Sequence, residues 1–199
     1  MKQLLITGFD PFGGESVNPA WEAVKSLPDE IGTWTLTKLQ IPTVFGEAAN
    51  TVLKTVDAMP TAPDVILCIG QAGGRAAVTP EFVAINYRRA SIADNAGTLI
   101  SESPILADAP AAYFATVPVQ RMTAAITDAG IRAQTSNSAG TFVCNDVLYL
   151  LLHRFSSGQT QVGFIHVPFL PEQVRDTRTP SLPLDDTVRA LTAAIGALK

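Results

Sequence analysis

The run Asp64-Val65-Ile66-Leu67-Cys68-Ile69-Gly70 constrains the fold of this chain more than any other segment. Successive side chains of a strand point to opposite faces, so an unbroken apolar strand must be covered on both sides. That is the signature of a strand inside a parallel sheet with helices on each face. The run ends in Gly70-Gln71-Ala72-Gly73-Gly74, a turn-forming loop. The remaining segments fit the same plan. Leu4 to Thr7 is a short apolar strand that meets the turn-rich Gly8–Gly14 loop. Asn18-Pro19 supplies an N-cap and a first-turn proline for a helix to about Ser26. Thr33 to Ile41 alternates as a strand, and Phe45 to Met59 has helical periodicity, stopped by Pro60. Phe82 to Asn86 reads as a strand, and Asp94 to Pro110 as a loop. A helix over Val119 to Ala129, stopped by Gly130, precedes a strand over Ile131 to Thr135. A strand over Val162 to Val167 and a helix over Leu184 to Leu198 close the chain. Strands alternating with helices predict a three-layer α/β/α sandwich around a mixed, largely parallel sheet. No internal repeat or linker interrupts it, so residues 1–199 are expected to form a single domain.

Composition narrows the function classes. Charged residues make up 16% of the chain, below the roughly 25% usual for globular domains; a surface so poor in charge points to self-association. The net charge is −4 and Arg88-Arg89 is a pair rather than a patch, which argues against a nucleic-acid footprint. No apolar run approaches membrane-spanning length, and the stretch through Thr7 is too short for a secretory signal. Two well-separated cysteines make no disulfide scaffold, so a reduced, cytoplasmic setting is expected. The cysteines and histidines are not close-spaced, so no metal pattern is present.

The chemistry centres on Cys144. It lies in Ser138-Ala139-Gly140-Thr141-Phe142-Val143-Cys144-Asn145-Asp146, a small-residue loop running into an apolar helix. A thiol at a helix N-terminus gains from the dipole and free N–H groups, which favour the reactive thiolate. Such a nucleophile needs a histidine, and the chain has two. His153 is nine positions along the helix, about 900° of rotation and roughly 13 Å of rise, and so faces away. His166 ends an alternating strand just before a loop, where α/β enzymes place catalytic side chains. Cys144 with His166 is therefore the leading pair. The plainer alternatives are that Cys144 is a packing residue and His166 a satisfied core histidine. Cys68, inside the apolar strand, reads as core. The glycine loops match neither the phosphate-binding nor the dinucleotide motif. Phe9 and Phe12 flank Asp10-Pro11, and Phe142 precedes Cys144. An apolar slot with amides such as Gln71 and Asn18 suits a small neutral ring bearing an N–H and a C=O.

Taken together, Gly8-Phe9-Asp10-Pro11-Phe12-Gly13-Gly14 through Asn18-Pro19, Gly70-Gln71-Ala72-Gly73-Gly74-Arg75, Glu81 through Asn86, Ser138 through Asn145 and Gly163-Phe164-Ile165-His166-Val167-Pro168 resemble the pyroglutamyl-peptidase I family. The motifs occur in family order and span essentially the whole chain. The resemblance implies a cytosolic, cofactor-free cysteine peptidase that removes N-terminal pyroglutamate from peptides, and a homo-oligomer, tetrameric by family habit. It implies Cys144 as nucleophile, His166 as general base and acid, and Glu81 as the carboxylate orienting the imidazole. The residues alone do not choose Glu81 over Asp94 or Glu172. Phe9, Phe12 and Phe142 are implied as the ring pocket, with Asn18 and Gln71 as polar partners.

One segment departs from the family pattern. Family members commonly carry an arginine where this chain has Phe82 and another where it has Ser91. The departure predicts either weaker activity or substitution by Arg88 or Arg89. Two rival readings follow from the same architecture: a phosphorylase-like transferase, and a ligand-binding protein that has lost the chemistry.

Overall fold

The computed structural model describes residues 1–176 and 178–198. The central sheet is built around the apolar run: β4 (Val65–Gln71) is buried from Val65 to Gly70 and lies between β1 (Lys2–Phe9) and β8 (Gln161–Val167). With β3 (Trp34–Ile41) next to β1, these strands are parallel. Antiparallel β2 (Glu30–Ile31) and β5 (Thr79–Pro80) border them, giving the order β2-β3-β1-β4-β8-β5.

Alternation along the strands separates two cores. Leu4, Ile6, Val65, Leu67, Ile69, Ile165 and Val167 face α1 (Pro19–Ser26), α3 (Val119–Asp128) and α5 (Leu184–Gly196). Leu5, Phe9, Ile66, Cys68, Val162 and Phe164 face α2 (Glu47–Ala58) and α4 (Val143–Arg154). The expected three-layer sandwich and mixed, largely parallel sheet are what the chain forms. Asn18 caps α1 as anticipated, its Oδ1 accepting from the Ala20 N–H at 3.0 Å. At Gly8 a Cβ would lie 2.7 Å from the Trp21 Cα, so the bare strand lets α1 approach.

Two expectations need correction. The strand expected at Phe82–Asn86 shortens to β6 (Val83–Ile85), which leaves the main sheet and pairs with β7 (Ala112–Phe114). The strand expected over Ile131–Thr135 reduces to bridges at Ala133 and Ser136 along the 78–81 segment. Hydrogen bonds join Val78 N–H to Arg132 O, Gln134 N–H to Val78 O, Ser136 N–H to Pro80 O and Phe82 N–H to Ser136 O. The missing rung falls at Pro80, which has no N–H to donate.

Candidate active site

The second core face carries the polar cluster, at the carboxyl end of the sheet. His166 pairs with Gly70 of β4 on one side and Thr79 of β5 on the other. Glu81 follows β5, its N–H bonded to Phe164 O at 2.9 Å, and its side chain is fully buried. The carboxylate Oε1 receives the His166 Nδ1 at 2.7 Å and the Arg75 Nη1 at 2.6 Å. A carboxylate accepts only, so Nδ1 carries the imidazole proton and Nε2 is left with a lone pair.

Cys144 enters from the opposite layer, in the first turn of α4. A Cβ on Gly70 would sit 3.0 Å from the Cys144 Sγ and 2.6 Å from the Phe164 ring. Gly70 thus clears the space in which the thiol lies over β4, next to the strand position paired with His166. The Phe164 ring packs 4.7 Å from the imidazole and closes the site from below.

The electrostatics differ from the sequence expectation. The helix start was expected to favour thiolate, yet the Cys144 thiol is pushed up to about 12. Burial is the main cause, the negative Glu81 adds to it, and Arg75 offsets only part. Burial also lowers the His166 pKa, with Glu81 opposing. For Glu81 burial favours the neutral acid, but His166, Ser136 and Arg75 together hold its pKa below the usual carboxylate value. The resting site is therefore a neutral thiol, a neutral imidazole and an ionised Glu81.

Aromatic residues gather next to the thiol. The Phe142 ring lies 6.1 Å from Phe12 and 5.2 Å, edge-on, from Phe45. Phe9 is core, packed against Phe164 at 6.3 Å and 2% exposed. Beside Phe142 a cavity of about 660 Å³ is lined by Gly73, Arg89, Ala90, Ser91, Ile92 and Thr141. Asn18 spends its amide on the loop, donating to Asp10 O at 2.9 Å as well as capping α1. Gln71 accepts from Gln173 Nε2 at 3.0 Å, which ties the 168–183 segment to the end of β4. That segment is also held by the Leu182 N–H to Phe169 O bond and by Phe169 packed beneath Gly73. Thr177, within it, lies outside the described residues.

The structure adds residues that sequence reasoning passed over. Asn145 is 1% exposed and grips β6, accepting from the Ile85 N–H and donating to the carbonyls of Ile85 and Tyr87. Fully buried Asp146 receives Arg88 and the Gly46 N–H. Arg88 is thus committed to α4, whereas Arg89 lines the cavity with Ser91. Phe82 faces outward against Phe114, 37% exposed. His153, set aside above, lies in the last turn of α4, and its Nδ1 meets the Tyr113 hydroxyl at 2.8 Å. Cys68 is fully buried core.

A model of the pyroglutamyl peptidase family matches residues 2–199. The chain belongs to that family. The pyrrolidone-carboxylate peptidase of Levilactobacillus brevis is 52% identical over 98% of this chain and 97% of its own. That of Lactobacillus helveticus is 48% identical, covering 97% and 96%. Among solved structures, Bacillus amyloliquefaciens pyroglutamyl peptidase I superposes with a TM-score of 0.92 at 44% identity, over 98% of this chain and 95% of that one. A mutant pyrrolidone carboxyl peptidase from Pyrococcus furiosus gives 0.92 at 37%, over 98% and 97%. Family membership decides against the phosphorylase-like reading.

Proposed function

We propose that Cys144, His166 and Glu81 perform the family's reaction in this chain. That reaction is the removal of an N-terminal pyroglutamyl residue by a cysteine-type peptidase. The observation that supports the assignment is the junction at Gly70: the thiol lies against this strand position, its neighbour in the sheet is His166, and Glu81 holds the His166 Nδ1.

The neutral resting pair sets the order of events. His166 Nε2 takes the thiol proton as Sγ attacks the carbonyl that joins the pyroglutamyl ring to the next residue. The developing oxyanion meets free N–H groups of the α4 first turn. Nε2 then gives its proton to the departing amine as the C–N bond breaks, leaving a thioester. Water, losing its proton to the same nitrogen, adds to the thioester and releases pyroglutamate, and the proton returns to sulfur. Glu81 stays ionised throughout and stabilises the transient imidazolium.

Phe12 and Phe142 with Phe9 beneath them form the apolar receptacle for the lactam, with Phe45 as an added wall. Gln71 at the end of β4 supplies polar recognition, and Asn18 acts by holding the Asp10 loop in place. An ordinary N-terminus would bring an ammonium into this receptacle at a cost of several kcal/mol.

The whole 1–199 chain serves as one catalytic domain, in that both cores share one sheet. A cytoplasmic location fits the two free cysteines, and among the described residues no helix is long and apolar enough to cross a membrane. A homo-oligomer, tetrameric by family habit, accounts for the exposed Phe82, Ile85 and Phe114 on the β6–β7 sheet. The decisive experiment is release of a fluorescent amine from a pyroglutamyl reporter. Turnover by the native chain that disappears in Cys144→Ala supports the assignment, and undiminished turnover in that variant overturns it.

A further inference from the structure

Arg75 has no part in the reaction described above, yet it is the residue on which the site's loops converge. It lies in the glycine loop after β4, with its side chain 30% exposed. Its Nη1 meets Glu81 Oε1 and Thr79 Oγ1, both at 2.6 Å, and its Nη2 donates to Ser138 O at 2.9 Å. Ser138 opens the loop that delivers Cys144. One guanidinium therefore spans the carboxylate behind the histidine and the backbone ahead of the nucleophile. The planar fork permits this, since two nitrogens reach two acceptors in a fixed relation.

We propose that Arg75 is the positioning residue of this site, holding Glu81 on the oxygen that orients His166 and fixing the Cys144 loop against it. This rests on the triad reading above. Among the described residues the second carboxylate oxygen, Oε2, is buried and makes no hydrogen bond, so the His166 and Arg75 contacts both fall on Oε1. Without Arg75, Glu81 would be a fully buried anion balanced only when His166 is protonated. Holding His166 protonated would block its work as a base.

The groups facing Arg75 set the sign of its electrostatic effect: Glu81 after β5, His166 on β8 and Cys144 on α4. Its positive charge favours ionised Glu81, opposes the imidazolium at His166 and favours the Cys144 thiolate. Removing that charge should carry the acid limb of activity to higher pH. A purely structural arginine would leave the limb where it is.

The test compares Arg75→Gln and Arg75→Lys in the full chain. Reporter turnover and iodoacetamide alkylation of Cys144 are both followed across pH, with melting curves as the folding check. Arg75→Gln should lose about 100-fold in kcat/KM, chiefly in kcat, as expected for a displaced reacting group. Its acid limb should move up in both readouts. Arg75→Lys keeps the charge but cannot reach both acceptors, so it should restore the limb and only part of the rate. Native kcat in either variant, or a rate loss in Arg75→Gln with an unmoved limb, would overturn the proposal. Should Arg75→Gln not fold, the kcat of Arg75→Lys decides. Alkylation needs no substrate, so a limb that moves in a chain without turnover would sink the peptidase reading and leave that of Arg75 standing.

Discussion

The two ends of the central sheet offer cavities of similar size and opposite character. At the amino end, a cavity of about 700 Å³ is lined by Lys2, Trp34, Asp57, Asp64, Arg154 and Gln161, among others. Its polar groups serve the scaffold. Asp64 Oδ2 accepts from the Gln3 N–H at 2.7 Å, and the Thr160 hydroxyl donates to Pro63 O at 2.8 Å. Lys2 lies over the Trp34 ring and Arg154 over Phe155. At the carboxyl end the cavity is about 660 Å³, and near the same edge lie a half-buried thiol and a buried imidazole hydrogen-bonded to a buried carboxylate. Volume therefore does not mark the working end. Convergence of strand termini does, because parallel strands deliver their last side chains, and the loops after them, to one edge.

The largest effect that sharpens this contrast is loss of the thiol. Cys144→Ala should lower reporter turnover by about 10⁴-fold or more while the melting temperature stays close to native. Glu81→Gln should follow, at about 10³- to 10⁴-fold in kcat, because an amide no longer fixes the imidazole proton on Nδ1. Steady-state kinetics separate this from a binding defect, which would appear in KM alone. Gly70→Ala should cost about 100-fold in kcat/KM, since its methyl group would meet the Phe164 ring at 2.6 Å and displace Sγ. The same clash should cost about 1–3 kcal/mol in denaturant unfolding. Native activity in Gly70→Ala would break the account of how the thiol is seated.

Acid should act on the carboxyl end through His166 and Glu81. Folding depresses the His166 pKa, so below the ordinary value of 6.5 the unfolded chain binds a proton the native state refuses. Stability then falls as pH drops through that window. Glu81 is also depressed; its stabilising contribution is present above 4.5 and is lost as pH falls through its native value. Melting temperature against pH should decline in acid, and less steeply in His166→Gln. An equal slope in that variant would count against the assignment. The smallest effect is expected at the other end: Lys2→Ala with Arg154→Ala should leave kcat/KM within about twofold and stability within about 0.5 kcal/mol each. A tenfold loss of activity there would erase the distinction between the ends.

How much of this was legible in the chain depends on the range of the interactions. The apolar run at 65–69 reports its own burial, so the sandwich and the parallel sheet could be read from it. His153 could be set aside from helix geometry alone. Glu81 could not be chosen from local pattern, because its link to His166 crosses 85 positions and depends on β5 pairing with β8. Arg75 was hidden for the same reason, its partners lying at 79, 81 and 138. Asn145 and Asp146 did leave a signal: polar residues at the head of an otherwise apolar helix require partners. The strand at 131–135 was misjudged because Pro80, which interrupts its ladder, lies far away in sequence. The thiolate expectation failed because helix position is local, whereas burial and the Glu81 charge come from the assembled fold.

The protonated resting state of Cys144 has a consequence for survival of the protein between substrates. Thiolates attack peroxide and other electrophiles, and the sequence from sulfenic to irreversible sulfonic acid begins there. On the proposed mechanism the Cys144 sulfur gives up its proton only as His166 receives it, and so spends little time in the vulnerable form. On that reading, the burial that raises the Cys144 pKa also acts as a safety catch against oxidative damage.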